Sequence, residues 1–155
     1  MNNSTYEDRL ERNWKWCQEY FDRKSKQFKL EGWKIKLNGA KTSLGICYYN
    51  DKSIRISKHF LRGPTCTESK MRDTVLHEIA HALAGPKTGH GKKWKEMAKQ
   101  IGCSAKTCAT MDLPEAKYLM YCPNNCFQQT YYRKPNVNNR CCIKCRSTPI
   151  LKTLR

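Results

Sequence analysis

The chain has 155 residues, 39% of them hydrophobic, and sets thirty Lys and Arg against thirteen Asp and Glu for a net charge of +17. That length points to one main domain with a small appendage, and the cationic excess to a polyanionic partner, nucleic acid ahead of an acidic membrane surface. No apolar run of about eighteen residues occurs, and the start Met-Asn-Asn-Ser-Thr-Tyr has no signal-peptide stretch. The expectation is therefore an intracellular protein that spans no membrane and keeps its ten cysteines reduced.

Residues 5–30 place Leu10, Trp14, Cys17 and Phe21 at helical spacing among many charges. This predicts an amphipathic helix that covers the core, with Trp14 on its packed side. From Trp33 to Ser57 the pattern shortens to period two. Trp33–Leu37, Leu44–Tyr49 and Ser53–Ser57 read as three strands of a small antiparallel sheet, with Asn38-Gly39 and Asn50-Asp51 as the turns. An exposed edge of such a sheet can accept an extended peptide. Lys58–Leu61 reads as a short connector, and His59 within it as a surface or hydrogen-bonded residue rather than a ligand.

A second helix follows. Thr67 or Ser69 can cap it, Glu68 and Asp73 lie near its positive end, and Met71, Val75, Ile79 and Leu83 form one buried row. Its other face carries His77 and His81, four residues apart and so one above the other. Two imidazoles at that spacing reach one zinc ion at roughly 2.0–2.1 Å. Glu78, beside the first, is placed to work on a zinc-bound water as general base. Gly85-Pro86 stops the helix, Gly89 lets the chain turn, and His90 returns as third ligand; Glu96 is the weaker alternative. Three protein ligands with an open fourth position describe a catalytic zinc. A further helix over residues 92–101 carries Trp94, Met97, Ala98 and Ile101, and Gly102 closes it. Packing Trp94 would hold the ligand loop in place.

From Lys117 to Arg155 there is no Asp or Glu. Cys122-Pro-Asn-Asn-Cys126 and Cys142-Ile-Lys-Cys145 have the pairing of a zinc ribbon, four thiolates around a structural ion. Cys141 is the alternative to Cys142, which is preferred for its two-residue gap to Cys145. Cys17, Cys47, Cys66, Cys103 and Cys108 have no such partners and read as core or incidental. Tyr118, Tyr121, Phe127, Tyr131 and Tyr132 alternate with cations, a pattern that serves single-stranded DNA through stacking and phosphate contacts. Two or three of these rings are needed for packing. The expected domains are residues 1–116 and a basic ribbon over residues 117–155.

His77-Glu-Ile-Ala-His81, Gly85-Pro86, Gly89-His90-Gly91, Trp94 and Ile101-Gly102, followed by paired cysteines, resemble the SprT-like metalloprotease family, which includes the Spartan-type proteases of DNA–protein crosslink repair. Leu44-Gly-Ile-Cys47, Ile54-Arg-Ile-Ser57 and Leu61 resemble the strands that precede the motif there. The likeness spans roughly residues 5–150. It implies an α+β, zincin-like protease domain with a C-terminal zinc ribbon. It also implies His77, His81 and His90 as zinc ligands, Glu78 as acid/base, and DNA-stimulated cleavage of DNA-bound or crosslinked proteins. The short gap from His81 to His90 is closer to compact bacterial and viral members than to animal ones. No long tail with partner-binding motifs follows, so recruitment through ubiquitin or a sliding clamp is not expected. A monomer is expected, in the nucleus, the nucleoid or a host compartment according to source. The rival readings are a non-catalytic DNA-binding protein with two structural zincs, and a general zinc peptidase whose charge serves solubility. Tyr48 and Tyr49 both remain open as oxyanion donors.

Overall fold

A computed structural model describes residues 3–106 and 116–154. Cys108 lies outside them. The chain divides into two compact units, Met1–Leu113 and Pro114–Arg155.

The first unit opens with α1, Asn3–Gln27. Cys17, Tyr20 and Phe21 are buried on one side, and Leu10, Trp14 and Trp16 pack against the same core. Trp16 stacks on Tyr20 with ring centroids 4.9 Å apart, so neither early tryptophan is a free ring. Three strands follow: β1 (Lys34–Asn38), β2 (Gly45–Tyr48) and β3 (Ser53–Ser57). Their order is β1-β3-β2, and β1 runs parallel to β3 while β2 runs antiparallel to it. The sheet is therefore mixed, not antiparallel as the turn signals implied. Ile54 and Ile56 are fully buried, which makes β3 the natural centre, flanked on both edges. Each such side chain contributes about 1.5–3 kcal/mol by leaving water. Asn50-Asp51 does close a hairpin, β2 to β3. Asn38-Gly39 instead begins a crossover, held where the Ser57 hydroxyl donates to the Ala40 carbonyl and the Asn38 side chain accepts from Ala40 N–H.

Lys58–Arg62 is a short helix, α2, rather than a connector. The Ser57 side chain caps it by accepting from Phe60 N–H, and Phe60 and Leu61 are buried. A helix this short leaves its last carbonyls without partners of its own. They are met from α1: buried Asn13 donates to Leu61 O at 2.8 Å, and Arg9 to Arg62 O at 3.0 Å. Arg62 in turn forms an ion pair with Glu7 at 2.6 Å.

The long helix α3 runs Glu68–Ala84, with Thr67 as N-cap accepting from Lys70 N–H. Met71, Val75 and Ile79 are buried, and Leu83 packs against the same core. Helix α4, Lys92–Gln100, buries Trp94 and Ala98. Gly102 follows in left-handed backbone, φ 82°.

The second unit is a three-stranded antiparallel sheet of β4 (Tyr118–Tyr121), β5 (Gln128–Tyr131) and β6 (Ile150–Thr153), with β4 central. No described helix is long and apolar enough to cross a membrane.

Candidate metal centre and its buried carboxylate

Helix α3 ends at Gly85, whose φ of 89° admits few other residues and whose N–H donates to His81 O. The chain then folds back through Lys87 (φ 64°) and Gly89 (φ 49°). Thr88 Oγ1 donates to Gly85 O at 2.8 Å and Gly91 N–H to Thr88 O at 3.1 Å. This turn returns His90 to the helix face.

His90 Nε2 lies 2.9 Å from His77 Nε2 and 3.1 Å from His81 Nε2. Tetrahedral ligands at the usual zinc–nitrogen length stand about 3.3 Å apart, so the cluster needs little adjustment to hold an ion. Three converging imidazole nitrogens also require a cation or a shared proton, because neutral rings would point lone pairs at one another. Burial first, and then the neighbouring histidines, push His77 and His81 down to about 4. Both are thus neutral at working pH, as a metal ligand must be. His59 lies outside the cluster, and Glu96 is exposed and turned to Lys92 at 4.0 Å.

Trp94, fully buried, forms the floor. Its ring centroid is 4.5 Å from that of His90, 4.6 Å from His77 and 5.3 Å from His81. Its Nε1–H donates to His77 O at 3.4 Å. Tyr49 holds the other end of the turn: its hydroxyl shares one proton between His81 O at 2.7 Å and Gly85 O at 3.1 Å. Burial raises that phenol to about 12, so it stays a donor. With its proton committed to the helix end, Tyr49 is a support for the ligand turn. Tyr48 lies under the Arg55 guanidinium, 4.0 Å from its ring centre.

Glu78 is 5% exposed, and no ion pair reaches it among the described residues. Burial pushes its carboxyl up to about 8. The carboxylate lies against β2 at its one glycine. A Cβ on Gly45 would stand 2.8 Å from both Cγ and Oε1 of Glu78. In the sequence Gly45 is only one position of the strand Leu44-Gly-Ile-Cys47, because a glycine in a strand gives no hint of what approaches it from another element. We expect Gly45→Ala to displace the carboxylate and, with the histidine cluster intact, to slow by about 100-fold any reaction in which Glu78 acts as a base. An unchanged rate would show that this contact does not hold Glu78 in place.

In the second unit Cys122, Cys126, Cys142 and Cys145 bring their sulfurs within 4.8 Å of one another. Asn124 N–H donates to Cys122 Sγ at 3.4 Å, and Arg146 N–H to Cys142 O at 2.9 Å. Asn125 (φ 55°) and Arg146 (φ 62°) turn the two loops back onto the sulfurs. Hydrogen bonds from Ser147, side chain first and then backbone, bring Cys145 down to about 5. Cys126 is pushed the other way, up to about 12, chiefly by its hydrogen bond to Cys145. Four converging sulfurs are the donor set of a soft cation such as zinc. Cys142 is buried within this group, whereas Cys141 is exposed, with Arg146 Nη1 at 4.0 Å. All five aromatic rings of this unit are half-buried.

The SprT-like family matches residues 11–113. The chain is also similar to Protein SprT of Glaesserella parasuis serovar 5 (strain SH0165), with 28% identity over 121 residues, 70% of this chain and 76% of that protein. No solved structure gives a significant match. With the match over more than half its length, including all three clustered histidines and Glu78, the chain belongs to the SprT-like family, a family of metalloprotease type.

Proposed function

We infer that the protein is a zinc endopeptidase of zincin-like fold that cleaves proteins bound or crosslinked to DNA and is stimulated by DNA, single-stranded DNA above all. The observation that carries the hydrolytic part is a buried carboxylate, Glu78, next to three imidazoles that converge on one point. His77, His81 and His90 would hold the ion. A zinc ion there supplies Lewis acidity to a peptide carbonyl and acidifies water at the open fourth position. Glu78 takes the proton from the attacking water and returns it to the leaving amine. Its burial raises its basicity toward the range where a general base works best, and Gly45 lets it sit close to the sheet. Trp94 and Tyr49 keep the three rings oriented through the cycle.

The DNA part rests on charge and on the ribbon. The net charge is +17, and residues 117–155 of the four-cysteine unit have cations and half-buried tyrosines but no acidic residue. We read it as a tether that raises the local concentration of the protease on DNA. The enzyme would act as an intracellular monomer. The test is cleavage of a DNA-binding protein with and without single-stranded DNA, across a salt series. Cleavage should rise strongly when DNA is added, and that stimulation should fall steeply with salt, as phosphate contacts do. Equal rates without DNA, insensitive to salt, would leave a general peptidase.

A further inference from the structure

Helix α4 supports the histidine cluster from one side and is charged against its own stability on the other. Residues 87–99 hold five lysines, Lys87, Lys92, Lys93, Lys95 and Lys99, against one acid, Glu96. All five lysines are exposed. Trp94 and Ala98 face the core, while Lys92, Lys95 and Lys99, at i, i+3 and i+7, share a stripe on the solvent side. Like charges at that spacing destabilise a helix. Lys92 and Lys93 also stand at its positive end, where cations are disfavoured. The helix opens on Gly91 with no side-chain cap and no acid in its first turn, whereas α3 has Thr67 and Glu68 there.

The fold gives these charges few partners. Elsewhere in the first unit Lys36 and Arg55 pair with Asp51, Arg62 with Glu7, and Arg72 with Glu68. On α4 Lys92 approaches Glu96 only at 4.0 Å, with its side chain 91% exposed. Among the described residues no ion pair reaches Lys87, Lys93, Lys95 or Lys99. Aligned repulsion without an internal partner is what an external anion relieves. Seven residues of helix separate Lys92 from Lys99, a rise of about 10 Å. No small ion touches all three lysines, but a polymer with regularly repeated charge does. A nucleic-acid strand carries a phosphate at every nucleotide, and lysine serves phosphate as a point charge. The stripe is also close to the chemistry: Gly91 follows His90 directly, and the Trp94 ring lies 4.5 Å from that of His90. A strand on the stripe is thus within one helix width, ~10–12 Å, of the histidine cluster.

We propose that the stripe Lys92, Lys95 and Lys99 is a second DNA-binding surface, on the first unit itself, which takes the phosphates of a single strand and lays it beside the metal centre. Three lysines hold DNA weakly by themselves. The cysteine unit supplies most of the affinity, and each contact raises the effective concentration for the other. This inference rests on the reading of the protein as DNA-stimulated.

The experiment measures binding of the full zinc-loaded chain to a fluorescent oligothymidylate across a salt series. Each phosphate contact on a single strand contributes about 0.7 to the slope of log affinity against log salt, so combining Lys92→Gln, Lys95→Gln and Lys99→Gln should lower that slope by about 2. Glutamine keeps the helix propensity of lysine, so α4 stays folded. The same variant should lose most of the DNA stimulation of cleavage while its zinc content is unchanged. A control that removes equal charge at exposed positions elsewhere, Lys15→Gln with Lys26→Gln and Lys34→Gln, should change neither readout. An unchanged slope in the α4 variant overturns the proposal. An equal fall in both variants overturns it too, because net charge and not this surface then binds the strand. Competition by polyglutamate as strong as by unlabelled oligothymidylate would replace DNA with an acidic polypeptide as the partner. If wild type itself binds no single-stranded DNA, the DNA reading falls, and this proposal with it.

Discussion

Glu78→Gln is expected to abolish measurable peptide cleavage while zinc stays bound. Glutamine has the size of glutamate, so it fits beside Gly45, where even a methyl group would collide. It is not one of the three residues whose nitrogens converge, so the ligand set is intact. What it lacks is a basic oxygen. Loss of a general acid–base group costs about 10²–10⁴-fold in rate, the upper end applying when no other base is near. Among the described residues, no second carboxylate joins the histidine cluster, which favours the upper end. The measurement is kcat on a protein substrate beside zinc content by elemental analysis. Activity above a tenth of wild type would place the base elsewhere, whereas parallel loss of zinc would make Glu78 structural.

Cys142→Ala is expected to unfold the Pro114–Arg155 unit and leave the Met1–Leu113 unit folded. Among its described residues the second unit has three strands of four residues each, and its buried hydrophobic residues are Met120, Cys122 and Cys142. So small an apolar core does not offset the chain entropy of ordering the unit. A four-thiolate zinc, with an apparent binding free energy of about 10–16 kcal/mol, does. Cys141 is no substitute, because it is exposed and one position out of step with the turn that Arg146 closes. Loss of amide dispersion confined to residues 116–154, with one zinc equivalent lost, is the expected NMR result. If those resonances stay dispersed, the unit folds without its metal. The same variant tests the tether, since DNA stimulation should disappear while basal cleavage persists.

The residues of chemistry were legible because their relations are local. His77, Glu78 and His81 share one helix, His90 follows after a short turn, and each cysteine pair sits on its own loop. Helical periodicity also carried α1, α3 and α4. Strand order was not legible. Period two places β1 and β3 in a sheet, but their parallel pairing, Ile35 with Ile54 and Leu37 with Ile56, depends on β2 taking the far edge of β3. Helix α2 is too short for periodicity, and its stability comes from Ser57 before it and from Asn13 and Arg9 on another helix. The supports of the metal centre escaped for the same reason. Gly45 meets Glu78 and Tyr49 meets His81, each across about thirty positions that no pattern in one chain spans.

The histidine cluster also bears on which metal it would accept. Three imidazole nitrogens, with no carboxylate among them, offer little to magnesium or calcium, which take oxygen ligands. Among divalent first-row ions the same triad prefers copper over zinc and does not strongly reject nickel or cobalt. His90 lies at the exposed side of the cluster, so exchange with solvent ions is open. Identity of an ion held there would therefore follow supply more than selection: a preparation exposed to copper or nickel is expected to be mixed at the histidines, and remetallation with zinc under defined conditions to make it homogeneous.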